Sequence, residues 1–284
     1  MPTLLEKAKV FDIDDNLLNP DEISIKFLID EFSKIKVNKP GDRFWLLVSD
    51  TGSGKSTVLP PFLYRKFNEK MIICTQPRIY NTIDIPNSIV QWNEDFTLGV
   101  NVGFSTGARK LKVKKGLMFV TIDTFLNELN NNDDDFIMKK YSHILVDEVH
   151  VRNVGLDLIF MKLKKLITDN YENSDCPNVI YMSATFDVKK YAEFFGTDII
   201  YKVIGESYER LDFYLKFPVS DLYIDTAKKV QELCANKDGD YKHILIFIPG
   251  AAMNREITTA IEKLKIKNIE IIYYASGAIA ERAK

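Results

Sequence analysis

An α/β fold, with a parallel sheet sandwiched by helices and a second, incomplete unit of the same kind behind it, is what the sequence predicts, on three observations. A glycine-rich loop, Ser49-Asp50-Thr51-Gly52-Ser53-Gly54-Lys55-Ser56-Thr57, follows the apolar run Phe44–Val48 and precedes a helical pattern. Beyond it, short runs that are apolar almost throughout alternate with amphipathic segments, as strands buried on both faces do when helices separate them. Near Gly205 this rhythm lapses, and it restarts at His243.

Residues 1–40 read as a helical lead-in, 41–207 as the first domain and 208–284 as a partial second one. In the lead-in, Asp21–Ile35 carries Ile23, Ile25, Phe27, Leu28, Phe32 and Ile35 mostly on one helical face, and Lys39-Pro40-Gly41 then breaks the pattern. Strands are expected at Met71–Thr75, Gly116–Thr121, His143–Val149 and Val179–Ala184. Helices are expected at about Thr57–Phe67, Thr82–Trp92, Asp123–Asn130, Leu156–Thr168 and Val188–Phe195, the last capped by Asp187 and followed by Gly196. Pro60-Pro61 falls inside the first of these, where proline deletes a backbone donor, so a bend is expected. Asn130–Asp135 and residues 170–177 read as polar loops. Further on, Arg210–Phe217 reads as an edge strand and Ser220 as the cap of a helix running to about Cys234. His243–Phe247 and Ile269–Tyr274 read as strands on either side of a helix at Asn254–Leu264. Two strands are too few for a stable parallel sheet, so the second unit reads as truncated.

The 284 residues are 46% apolar and 27% charged, an ordinary globular balance for a chain between one and two domains long. A net charge of −2 excludes a globally basic nucleic-acid binder, so any such contact must rest on local patches. Arg109–Lys115 puts five basic residues in seven, and it reads as the solvated tip of a β-hairpin rather than a phosphate contact. Trp92 and Phe104 read as core aromatics. Cys74, Cys176 and Cys234 lie too far apart for a metal or redox pair and read as free thiols. Met1–Asp15 carries charges throughout, without the apolar core of a signal peptide, and no apolar run is long enough to span a membrane. A soluble, cytoplasmic protein with no membrane partner is expected.

The loop carries the first chemistry. Gly52 and Gly54 let the backbone curl into a concavity whose amide N–H groups face phosphate oxygens at the positive end of a helix. Thr51, Gly52, Ser53, Gly54, Lys55, Ser56 and Thr57 form the cradle, with Lys55 reaching the β- and γ-phosphates of ATP and the Ser56 hydroxyl ligating Mg²⁺. Ser49 stands where such loops usually have glycine. Asp147-Glu148-Val149-His150 closes an apolar strand, and in a doubly wound sheet the strand C-termini gather at the edge that holds the phosphate loop. Asp147 is placed there to hold Mg²⁺, and Glu148 to orient and deprotonate an attacking water. Ser183-Ala184-Thr185 closes another strand, and its small hydroxyls can hydrogen-bond the acidic motif and pass on the state of the phosphate.

Taken in order, these residues resemble the superfamily 2 DExH helicases, the DEAH-box RNA helicases and related viral enzymes above all, from about residue 42 to Lys284. Ser49–Thr57 is similar to motif I, Thr75-Gln76-Pro77-Arg78 to motif Ia and Val102-Gly103-Phe104-Ser105 to the segment after it. Thr121–Leu126 is similar to motif Ib, Asp147–His150 to motif II, Tyr181–Thr185 to motif III and Ile244–Gly250 to motif IV. The resemblance implies the RecA-like fold of a P-loop NTPase, with a second RecA-like unit incomplete in this chain. It implies ATP hydrolysis coupled to single-stranded nucleic acid, RNA before DNA, with Lys55, Asp147, Glu148 and His150 at the catalytic centre. It puts Pro77, Arg78, Thr121 and Asp123 on the RNA backbone, and it makes His150 a link from the nucleotide site to Ser183, Ala184 and Thr185 rather than a metal ligand. The Gln-Arg-x-Gly-Arg pattern of motif VI is missing, so this portion of a helicase is expected to bind Mg-ATP, hydrolyse it slowly and not unwind. A DNA helicase and a nucleotide-binding RNA scaffold without helicase activity are the alternatives, the intact Lys55 and Glu148 counting against the scaffold. A nucleotide kinase gives no reason for Asp-Glu-Val-His followed by Ser-Ala-Thr.

Overall fold

A computed structural model describes residues 9–11, 20–49, 52–185, 187–203, 211–215, 218–235, 243–273 and 281–282. The chain divides into two compact units, Met1–Tyr208 and Glu209–Lys284. The first begins with β1 (Lys9–Phe11), α1 (Pro20–Ser33), a 3-10 turn at Pro40–Arg43, β2 (Phe44–Ser49), α2 (Leu59–Lys66) and β3 (Met71–Gln76). It continues through α3 (Ile79–Trp92), the short strands β4 (Val102–Ser105) and β5 (Lys110–Leu111), β6 (Leu117–Thr121), α4 (Ile122–Asn131) and α5 (Asp134–Lys140). It ends with β7 (Tyr141–Val146), α6 (Val154–Asn170), β8 (Asn178–Ser183), α7 (Val188–Phe195) and β9 (Ile200–Val203).

These strands form one nine-stranded sheet in the order β1-β9-β2-β8-β7-β3-β6-β4-β5. Every neighbouring pair is parallel except β4 with β5. Successive side chains of a strand point to opposite faces, so each central strand feeds two cores. Phe44 and Leu46 of β2 join Ile73, Val120, Ile144 and Tyr181 on the face covered by α4, α5, α6 and α7. Trp45 and Leu47 join Cys74, Phe119, Leu145 and Ile180 on the face covered by α1, α2 and α3. A strand with both faces covered has to be apolar at every position, which is why these runs show no polar alternation.

Several expectations are corrected. The helix after the glycine-rich loop does not run through from Thr57 with a bend. It begins at Leu59, so that Pro60 and Pro61 occupy its first turn, where backbone N–H groups have no intrahelical partner to lose. Asn130–Asp135 is not one loop: Asn131 ends α4, and Asp133 caps α5 by accepting the Phe136 N–H at 2.8 Å. Trp92 is not a core residue but 41% exposed at the end of α3. The strands β1 and β9, absent from the sequence reading, pair with each other, and β9 also pairs with β2. Arg109–Lys112 forms the exposed tip and return of the β4–β5 hairpin.

In the second unit, α8 (Leu222–Ala235) packs on α9 (Ala251–Lys263) through Ala227, Val230, Ile257 and Ile261. Asp221, not Ser220, caps α8, its carboxylate accepting from the Tyr223 and Ile224 N–H groups at 2.9 and 3.0 Å. Residues 211–215 and 243–248 form no strand, which corrects both strand assignments there. An apolar run becomes a strand only when another strand supplies its hydrogen bonds, and among the described residues neither run has one. Arg210, Lys216 and Phe217 lie outside the described residues. The last expected strand begins later, at Ile272, and β10 (Ile272–Tyr273) pairs antiparallel with β11 (Glu281–Arg282), while Tyr274 lies outside the described residues.

Candidate functional site

In a parallel sheet every strand delivers its C-terminus to the same edge. Five adjacent strands, β2, β8, β7, β3 and β6, bring the predicted site residues together there. Beyond Ser49, Gly52 and Gly54 take φ of 88° and 81°, a left-handed backbone that glycine alone adopts without strain. The Gly54 carbonyl accepts from the Val58 N–H at 2.7 Å, so the chain is already turning helically at Lys55. Lys55 is only 6% exposed, and its Nζ lies 3.5 Å from Glu148 Oε1. Ser53 Oγ is buried with no hydrogen-bond partner among the described residues, and a Cβ at Gly52 would meet open space. A buried ammonium, an orphaned hydroxyl and a helix N-terminus suit an anion with many acceptor oxygens, such as a triphosphate. Thr57 is half-buried beside Ser56, while Thr51 lies outside the described residues.

Asp147 follows β7 and is 1% exposed. Its Oδ2 accepts from Ser56 Oγ at 2.5 Å and from Gln76 Nε2 at 2.7 Å, and its Oδ1 accepts from the Glu148 N–H at 2.9 Å. Burial pushes the Asp147 carboxyl above the usual carboxylate range, with the Ser56 and Gln76 hydrogen bonds pulling the other way. A buried carboxylate beside a hydroxyl and a phosphate cradle fits the oxygen-donor set that Mg²⁺ takes. Glu148 is 26% exposed on its side chain and has φ of 53°, a costly conformation for a residue with a Cβ. That backbone turns its carboxylate back toward Lys55 on one side and, at 3.3 Å, toward His150 Nδ1 on the other.

His150 Nδ1 lies 2.8 Å from Ser183 Oγ. The Ser183 hydroxyl donates to the Thr185 carbonyl at 2.9 Å and accepts the Thr185 N–H at 3.2 Å. A Ser183 hydroxyl that donates to Thr185 is able to accept from His150, an arrangement that suits the tautomer with its proton on Nδ1. A continuous polar path therefore runs Lys55, Glu148, His150, Ser183, Thr185, with Ala184 half-buried inside it. Among the described residues, no group of three potential ligands is arranged around a metal position.

The remaining predicted residues lie farther along the same edge. Pro77 and exposed Arg78 form the turn from β3 to α3, and Thr121 and exposed Asp123 begin α4. Gln76 pairs with Thr121 across β3 and β6, so the two turns are neighbours. Thr121 Oγ1 bonds Thr124 Oγ1 at 2.8 Å, and none of the four joins the Asp147 cluster directly. Gln76 does join it, and sequence reasoning missed its part. The available signal was a polar residue closing the run Met71–Cys74, with Thr75 beside it.

A family model described as "Type III restriction enzyme, res subunit" matches residues 16–188. The African swine fever virus protein B962L is 29% identical over 99% of this chain and 33% of its own length. The ATP-dependent RNA helicase TDRD9 of Danio rerio is 29% identical over 78% of this chain and 19% of its own. The DExH-box ATP-dependent RNA helicase DExH2 of Arabidopsis thaliana is 32% identical over 63% of this chain and 12% of its own. The chain thus spans about a third, or less, of the length of these curated relatives. The crystal structure of the Escherichia coli DEAH/RHA helicase HrpB superposes with a TM-score of 0.67 at 22% identity, covering 84% of this chain and 29% of that one, which is a likeness of RecA-like fold.

Proposed function

Because this chain belongs to the superfamily 2 DExH helicases, within the family described as the res subunit of type III restriction enzymes, we propose that it is the ATP-binding portion of an ATP-dependent RNA helicase. The observation that carries the proposal is the gathering of Lys55, Ser56, Asp147 and Glu148 on adjoining strand ends, within one set of short polar contacts. The backbone of Gly52–Thr57 and the Lys55 ammonium hold the β- and γ-phosphates of ATP. Ser56 and Asp147 would hold a Mg²⁺ ion, which would supply charge neutralisation there. Glu148 orients a water in line with the γ-phosphate and takes its proton. Its carboxylate is free to do so once the phosphates replace it as the partner of Lys55. His150 and Ser183 carry the change in Glu148 to the strand end of β8. Arg78 meets the phosphates of a single strand. A carboxylate repels phosphate, so Asp123 suits a ribose 2′-hydroxyl, which favours RNA over DNA. Among the described residues no helix is long and apolar enough to cross a membrane, and Cys74, Cys176 and Cys234 are free, which suits a reducing cytoplasmic setting.

The deciding experiment measures nucleotide binding and turnover by residues 1–284, with and without single-stranded RNA, for wild type, Lys55→Ala and Glu148→Gln. Lys55→Ala is expected to lose nucleotide affinity. Glu148→Gln is expected to keep it while losing turnover by about 10²–10⁴-fold, the worth of a general base. Wild type that does not bind ATP, or wild type that turns ATP over measurably with Glu148→Gln equally fast, would end this reading.

A further inference from the structure

Gln76, the last residue of β3, has no part in the chemistry above, yet it is 1% exposed in the middle of the site. Its Nε2 donates to Asp147 Oδ2 at 2.7 Å, the oxygen that also accepts from Ser56 Oγ at 2.5 Å. A carboxamide donating to an ionised carboxylate makes a stronger bond than a neutral pair. The other end of the same group is unsatisfied: Gln76 Oε1 is buried with no hydrogen-bond partner among the described residues. An unpaired buried acceptor costs stability, and a methionine or leucine would fill the space without that cost. Stability alone therefore does not account for glutamine here, and the Asp147 contact does.

Gln76 also stands where three strand ends meet. Thr75 pairs with Val146, the residue before Asp147, on one side, and Gln76 pairs with Thr121 on the other. Pro77 and Arg78 follow it directly in the chain. A shift of the Arg78 turn on contact with a nucleic acid thus reaches Asp147 through a single side chain. We propose that Gln76 is a positioning residue that couples the nucleic-acid edge to the nucleotide site, by setting the orientation of the Asp147 carboxylate through its Nε2 bond. This rests on the reading in which Asp147 faces a Mg-triphosphate and Arg78 faces a nucleic-acid backbone.

The test is equilibrium binding of a fluorescent ATP analogue to residues 1–284 in Mg²⁺, with and without single-stranded polyuridine, for wild type, Gln76→Met and Gln76→Leu. Coupling between linked sites commonly amounts to about 5–150-fold in affinity. In wild type, RNA is expected to shift nucleotide affinity by about five-fold or more, and nucleotide to shift RNA affinity by the same factor. In Gln76→Met both shifts collapse toward unity, while RNA alone still binds within about five-fold of wild type, the lower end of that range. A merely structural role would weaken both ligands and leave the ratio unchanged. Thermal unfolding checks that the variant is folded, and Gln76→Leu takes its place if Gln76→Met is not. Coupling as large in the folded variants as in wild type overturns the proposal. Wild type that binds each ligand with no mutual effect also overturns it, and wild type that binds neither overturns the reading of the site itself.

Discussion

His143 lies buried between the rings of Phe67 and Trp45, with centroids at 4.6 and 5.6 Å, and its Nδ1 is 3.2 Å from Ser142 Oγ. Burial, and then the Arg43 charge, lowers its pKa from 6.5 to about 3. A base with a depressed folded pKa contributes stability that is fully present above the unfolded value and is lost as the pH falls through the folded one. Urea midpoints of wild type are therefore expected to fall between pH 6.5 and about 3 more steeply than those of His143→Phe. Parallel curves for the two proteins would remove His143 as the cause. Glu148 makes a second test at this scale. Gln keeps the shape that the positive φ already accommodates, so Glu148→Gln is expected to stay within about 0.5 kcal/mol of wild type in stability. A larger loss, read from urea midpoints at neutral pH, would mean that the Lys55–Glu148 contact at 3.5 Å holds the resting fold together.

Between elements, backbone contact decides more than side chains do. Gly41, in the 3-10 turn that leads into β2, approaches the end of α7 so closely that a Cβ there would lie 1.9 Å from the Gly196 carbonyl oxygen. Neither backbone can yield alone, so Gly41→Ala is expected to cost about 1–3 kcal/mol in urea unfolding, as overpacking does. Gly107→Ala, at the hairpin tip with nothing within 4 Å of its Cβ, is expected to be close to neutral. Equal effects would mean that the turn is not pinned on α7. Elements of this first unit were legible wherever the pattern is local. α7 runs from Val188 to Phe195 as its Asp187 cap and trailing Gly196 indicate, and β3, β6, β7 and β8 match their apolar runs to within a few residues. β9, only Ile200–Val203, is a strand because β1 and β2 flank it, and nothing in four residues announces neighbours so distant in sequence. α5 was legible and misread: three aspartates suggested a loop, whereas an aspartate cap followed by lysines in the last turn is a helix signature. In the candidate site, Lys55, Asp147, Glu148 and Ser183 could be singled out because the chemistry proposed for them would fix both type and spacing, and the structure brings them close together. Gln76 could not, because its partner depends on β3 lying beside β7 in one register.

For the whole molecule, the two units differ in what they bury. The first closes two extensive cores on either face of its sheet, while the second, among the described residues, gathers four buried apolar side chains between α8 and α9. A small core leaves little to set against chain entropy. Unfolding is thus expected to lack a single transition: in rising urea, hydrogen exchange should release residues 222–235 and 251–263 before 141–146 and 178–183. Simultaneous release would show one cooperative body. The sheet has a further consequence. The site draws on β2, β8, β7, β3 and β6, consecutive strands held about 4.8 Å apart by backbone hydrogen bonding. That interval works as a ruler whose divisions no side-chain substitution can move. Evolution can change what stands at each mark, but a ligand of different dimensions has to be met by the turns beyond the strands, so divergence among proteins of this design belongs in those turns and not in the sheet.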